Sequence, residues 1–194
     1  MRDKKYRTLE RTGGFVVFAI ASFLHFLYPL SKKTVMGALL GSVNESVWEH
    51  IKVFAIAYII WAMVTLLWSR PPLREFVWAK AVSVVALCLS ITLFFYFYTG
   101  LTGKPILCVD LTASLVLTFL AHLLSYKITT SHTNRGRFFM TGVMILLLVF
   151  IMILCFTYYP PQIPLFKDPV TGTYGVPFTM EDTGAAVMDI IHLL

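Results

Sequence analysis

The sequence predicts an all-α integral membrane protein, a bundle of five transmembrane helices with its N-terminus in the cytoplasm and its C-terminus outside. Three observations carry this expectation. Of the 194 residues, 58% are hydrophobic and 13% are charged, whereas soluble domains average about 45–50% and about 25%. Five apolar runs are each long enough for the roughly 20 residues that cross a bilayer core. Lysine and arginine are also divided unequally between the two sets of connections, which orients a multipass chain.

The first element is a basic arm, residues 1–13, with Arg2, Lys4, Lys5, Arg7 and Arg11. It precedes the first apolar run, where a topology determinant belongs. The net charge of +6 is concentrated there and gives no nucleic-acid signal; a weaker reading is attraction to anionic lipid. The first span is predicted at about 14–30. It begins like a signal peptide and contains Ala19-Ile20-Ala21, but the apolar run continues through Phe23, Leu24, Phe26 and Leu27. Cleavage sites follow such a run and do not divide it, so this segment is read as a retained span.

The remaining spans are predicted at about 44–68, 76–98, 105–127 and 137–159. Pro71-Pro72 follows the second, Pro105 opens the fourth at a favoured first helical position, and Pro160-Pro161 stops the fifth. The arm, together with Arg70, Arg74, Lys80, Lys127, Arg135 and Arg137, places eleven cations on one side. Lys32, Lys33, Lys104 and Lys167 place four on the other. The three cysteines, Cys88, Cys108 and Cys155, fall within apolar runs without a C-x-x-C pair and are expected to be small buried hydrophobes. The tail, 160–194, is rich in proline and glycine. Residues 168–175 read as consecutive turns, forming either a cap over the polar face or a loose strap. A short interfacial helix is possible from Thr183 to Leu194, where Val187, Ile190, Ile191 and Leu194 share a face.

With alternating spans, the end of the first, the starts of the second and fourth, and the start of the tail share one membrane face. The unusual polar residues collect there: His25, then Glu45, Glu49 and His50, then Asp110. At 1.5 Å per residue they lie at similar depth. Intramembrane ionisable residues are functional candidates by default. The set suits general acid–base chemistry, with Glu49 or Glu45 as base, His50 or His25 as the partner acid and Asp110 as an orienting carboxylate. A divalent metal on His25, Glu49, His50 and Asp110 is the alternative, although no H-E-x-x-H or H-x-x-x-H is present and the sequence requires no cofactor.

Each residue also has a plainer reading. Ser42-x-x-Glu45 is a capping box, and Trp48 is an interfacial anchor. Lys52 either snorkels or neutralises Glu45 or Glu49. Asn44-Glu45-Ser46 is formally a glycosylation sequon, discounted so close to a membrane. His122, near the opposite face, stands outside the cluster as an interfacial residue. No G-x-S-x-G, phosphate loop or haem motif is present.

The string Asn44-Glu45-Ser46-Val47-Trp48-Glu49-His50-Ile51-Lys52, with His25-Phe26 before it, Asp110 after it and the ending Asp168-Pro169-Val170-Thr171-Gly172-Thr173-Tyr174-Gly175, resembles a family of small multipass bacterial membrane proteins of unknown function. The resemblance covers about 14–176, with no counterpart for 177–194. It implies an inner-membrane location and no established activity. The functional expectation is a polar pocket at the outer face that binds, and on one reading acts on, a lipid-like or amphipathic small molecule. The alternatives are a transport or ion-coupling component, or a structural or partner-binding protein without catalysis.

Overall fold

The protein is described by a computed structural model covering residues 2–131 and 136–176. Seven α-helices follow in order: α1 (Arg2–His25), α2 (Leu27–Leu30), α3 (Val35–Leu40), α4 (Val47–Ser69), α5 (Leu73–Thr102), α6 (Leu107–Thr129) and α7 (Phe139–Tyr158). Their ends follow local chemistry. Thr34 caps α3 by accepting from the Gly37 amide at 3.1 Å. Arg70, left-handed at φ 47°, ends α4 just before Pro71, and Gly103 at φ 73° ends α5. The α7 helix stops just before Pro160-Pro161, where the ring removes a donor and blocks further helix.

Among the described residues, four helical segments are long and apolar enough to cross a membrane: Val47–Ser69, Leu73–Thr102, Leu107–Thr129 and Gly136–Tyr158. Large apolar side chains stand exposed along the last two, including Val116, Leu120, Leu123, Met144, Leu147 and Phe150. Such an exposed apolar surface suits lipid rather than water, and the chain has the architecture of a multipass membrane protein. The α1 helix is not in this set, because charged residues occupy much of its first half.

The α1 helix lies against both α4 and α6, while α5 packs on α4, α6 and α7. Lipid tails give apolar helices no hydrophobic reason to associate, so close packing of small residues must serve instead. Ala21, Ala55, Ala57, Ala81 and Ala121 are accordingly buried, interleaved with Val17, Val53, Val84 and Leu87. Two glycines set the α1–α6 approach. A Cβ on Gly13 would stand 2.5 Å from the His122 ring, and one on Gly14 would stand 2.5 Å from Phe119.

A buried ionic network fixes the N-terminal half of α1. Glu10 Oε1 pairs with Lys80 Nζ of α5 at 2.7 Å, and Glu10 Oε2 accepts from His122 Nδ1 of α6 at 2.9 Å. Lys80 also lies 4.8 Å from the Tyr58 ring centroid. One turn earlier, the Tyr6 hydroxyl donates to Thr129 at 2.9 Å. Burial pushes the Glu10 carboxyl up, but the charge of Lys80 and the hydrogen bond and charge of His122 outweigh it and hold the group below its ordinary range. Burial, and after it the Glu10 charge, pushes the Tyr6 hydroxyl up. This network corrects the reading of His122, which is an internal partner of Glu10 rather than an interfacial residue, and it buries Lys80, one of the cations counted toward the orientation, inside the bundle.

Two further expectations shift. Cys108 and Cys155 are exposed and only Cys88 is partly buried, because an apolar run has a lipid-facing side as well as a core side. Trp48 is buried against Phe156 and Phe166, with ring centroids 5.3 and 5.1 Å away, so it anchors the tail rather than the interface. The described tail residues, 160–176, form a folded loop. Its 3₁₀ turn Pro164–Phe166 leads to a bridge between Lys167 and Tyr174. Within that loop, Asp168 accepts from the Val170 amide at 2.9 Å and the Thr171 hydroxyl at 2.6 Å. The possible helix at Thr183–Leu194 lies outside the described residues.

Candidate functional site

The polar face is built by the end of α1, the turn before α4 and the folded tail. Its geometry depends on which serine caps α4. The helix begins at Val47, and the cap is Ser46, whose hydroxyl accepts from the Glu49 amide at 3.4 Å. The Ser42 hydroxyl donates instead to the Asn44 carbonyl at 2.7 Å. The expected Ser42–Glu45 box therefore does not form, and Glu45 sits before the helix with its carboxylate free of capping work. Asn44 fixes the turn from both ends: its Oδ1 accepts from the Ser46 amide at 2.9 Å, and its Nδ2 donates to the Gly175 carbonyl of the tail at 3.0 Å.

Released in this way, Glu45 lies between two imidazoles. His25 Nε2 is 3.5 Å from Glu45 Oε1, and His50 Nε2 is 3.7 Å from Glu45 Oε2. The two rings are 5.0 Å apart between centroids. One ligand atom from each of the three residues lies within 4.8 Å of the others, so among the described residues this trio is the group that could hold a metal. His50 Nδ1 lies 2.9 Å from the Ser46 carbonyl. A carbonyl only accepts, so Nδ1 carries a proton and the neutral ring keeps its lone pair on Nε2. The side chains of His25, His50 and Glu45 are 23%, 43% and 52% exposed, which leaves the cluster open on one side.

The other two predicted site residues do not join this trio. Glu49 turns into the bundle, 1% exposed, where Oε2 pairs with Lys52 Nζ at 2.7 Å and accepts from the Val43 amide at 2.8 Å. Lys52 is fully buried and also donates to the Ala38 carbonyl at 2.8 Å and the Thr157 hydroxyl at 3.2 Å. These contacts join α3, α4 and α7, and they leave little of Glu49 to serve as a base. The separation from His50 follows from the 100° step between adjacent helical residues. Asp110, in the first turn of α6, accepts from the Tyr98 hydroxyl at 2.6 Å, and the Tyr98 hydroxyl oxygen in turn accepts from the Ile106 amide at 3.0 Å. Asp110 therefore closes the α5–α6 connection. His25 and His50 were legible as neighbours from the alternation of the spans. The tail residues that complete the face had no signal beyond their turn-forming composition.

Beside the trio, Val43, Asn44, Glu45, Asp168, Val170, Thr171 and Thr173 line a groove of about 330 Å³. Glu45 belongs to both the groove and the histidine cluster. A larger groove of about 540 Å³ runs between α5 and α6, lined by Phe94, Cys108, Val109, Thr112, Ala113, Val116 and Leu117. Its walls are almost wholly apolar and lack the convergent polar groups of a reacting or recognising site.

The model of one family, described as a family of unknown function, matches residues 3–176. No curated protein matches the chain. No solved structure matches it.

Proposed function

As the chain belongs to that family, DUF6512, whose function is unknown, we propose from the site alone that it is a membrane-face binding protein for the polar end of a lipid-like or amphipathic small molecule. The observation that carries this reading is the groove between the Asn44–Glu45 turn and the 168–173 loop, opening beside two histidines. Its volume lies at the lower end of the range typical of small-molecule sites. Glu45 and the threonine hydroxyls supply polar contacts, and an apolar remainder of the ligand would extend into lipid. The carboxylate between two imidazoles also suits proton transfer, so chemistry on the bound molecule is the stronger form of the same proposal.

The accompanying topology is five passes with the N-terminus inside, in a bacterial inner membrane. What supports a fifth pass is the reach of α1. Its Glu10 meets Lys80 and His122 near one end of the bundle, and its His25 meets Glu45 and His50 at the other. From Glu10 to His25 the helix rises about 22 Å, and its full 24 residues span about 36 Å. The interior between these two polar ends is filled by Val17, Ala21, Leu24, Val53, Val84 and Leu87, which counts against a polar transport path.

Val170→Trp tests the binding reading. The Val170 side chain is exposed and lines the groove, and its substitution leaves the backbone bond to Asp168 in place. Lipid extracts of the detergent-purified protein, analysed by mass spectrometry, should contain an amphiphile enriched over the host membrane in the wild type and lost in Val170→Trp. Identical extracts from the two proteins would sink the proposal.

A further inference from the structure

The spacing within the histidine–glutamate trio has a specific chemical meaning. Separations of 3.5 and 3.7 Å between imidazole nitrogen and carboxylate oxygen exceed the roughly 2.7–3.2 Å of an N–H···O hydrogen bond. They lie close to the separation of neighbouring ligands around one tetrahedral ion. With metal–nitrogen and metal–oxygen bonds of about 2.0–2.2 Å, two such ligands stand about 3.3–3.5 Å apart. The carboxylate presents one oxygen to each ring, and the atoms already converge within 4.8 Å. For the three to share one centre, the widest of these separations would have to close by about 1 Å.

We propose that His25 Nε2, His50 Nε2 and the Glu45 carboxylate bind one borderline divalent cation of the zinc class. The His50 ring is already in the necessary state. Its Nδ1 donates to the Ser46 carbonyl at 2.9 Å, the outer contact that metal-bound histidines characteristically make, and this leaves the Nε2 lone pair toward the cluster. Two imidazoles disfavour magnesium or calcium, which take oxygen ligands, and the absence of a thiolate from the trio disfavours a soft ion such as copper(I). Two histidines and a carboxylate leave a fourth position free. The exposed side of Glu45 opens that position to the groove, as in sites where a metal holds water or substrate rather than merely bracing a fold. Glu45 is held in place by the bonds from Asn44 to the Ser46 amide and to the Gly175 carbonyl of the tail. The assignment does not depend on an amphipathic ligand, since the ion binds with or without one.

The test is calorimetric titration of zinc alone into the full-length protein, stripped with chelator and held in detergent. The expected result is one equivalent at neutral pH. Affinity should fall at least tenfold between pH 7.5 and pH 5.5, because protons compete for the imidazoles. His50→Ala and Glu45→Gln should each weaken binding at least tenfold, while Asp110→Asn keeps the full equivalent. Glu45 is half-exposed, so its variant is expected to fold, and circular dichroism verifies this for each protein. Cobalt(II) provides a second readout: the wild type should show the intense visible absorption of a four-coordinate site, and Glu45→Gln should lose it. Absence of saturable binding in folded wild type would overturn the assignment. So would binding that persists unchanged in both folded variants. Lipid extracts that do not differ between wild type and Val170→Trp, with zinc binding retained, would sink the groove reading and leave the metal site standing.

Discussion

Lys52 is the least expected residue of the molecule, a lysine with no exposed surface. Glu49, the Ala38 carbonyl and the Thr157 hydroxyl surround its ammonium, so each of its three protons has an acceptor. A charge this deep is tolerated only when paired, and removing one partner of such a pair costs about 3–5 kcal/mol. Lys52→Met should therefore lower the thermal stability of the detergent-solubilised protein by about that amount. Adding Glu49→Gln to it should recover much of the loss, since the stranded carboxylate is then gone. Equal melting of Lys52→Met and wild type would refute the pairing argument. The same region marks where the sequence ran out at this scale. Ser42 and Ser46 each have a glutamate three residues on, so either could cap a helix. The hydrogen bonds of Asn44 settle the choice, and its tail partner Gly175 lies 131 residues away. That choice determines whether Glu45 or Glu49 faces the histidines.

Among the elements, α1 depends most on its polar contacts, because the glycines that let it approach α6 contribute no side chains of their own. Its Glu10 faces Lys80 of α5, His122 of α6 and, through Lys80, Tyr58 of α4; Tyr6 lies one turn away on the same helix. Lys80 and His122 hold the Glu10 carboxyl below its ordinary value of 4.5 despite burial. A depressed carboxyl contributes stability that is complete above the ordinary value and is lost as pH falls through the lower folded one. Wild type should thus lose stability in acid, below about pH 4.5, more steeply than Glu10→Gln, which starts lower at neutral pH. Thermal melts of both in detergent across pH 3–7 measure this, and parallel curves would show that Glu10 is not the responsible group. The helices themselves were readable from runs of apolar residues, two of them closed by Pro71-Pro72 and Pro160-Pro161. The network was not, because its members are 70 and 112 residues apart and charges that flank apolar runs ordinarily signal topology.

For the whole molecule, α1 decides the number of passes. Composition alone marks four helices as spans, and the fifth rests on α1 reaching both polar ends. In a background with Cys88, Cys108 and Cys155 changed to serine, Lys32→Cys should react with a membrane-impermeant maleimide in intact cells. Lys5→Cys should react only after permeabilisation. Labelling of both positions from the same side would remove the fifth pass. The orienting argument survives the burial of Lys80, because the arm, Arg70, Arg74, Lys127, Arg135 and Arg137 still outnumber the cations opposite. Hydropathy therefore conveyed the architecture, and the alternation of spans brought His25 to His50. Neither conveyed which carboxylate would stand between them, because that depends on how the chain returns over its own beginning.

The location of the trio along the chain also gives it a history. His25, Glu45 and His50 fall within residues 25–50, so all three are synthesised before any part of α5, α6 or α7. The contacts that brace them arrive in a fixed order: Lys80 and His122 secure the far end of α1 midway through synthesis, and Gly175 joins Asn44 only near the end. During that interval the nascent chain carries its candidate cation ligands on an unfinished scaffold. An ion captured early would clamp α1 to the start of α4 and guide the helices still to come. An ion acquired late would have to enter through the opening that the tail leaves beside Glu45.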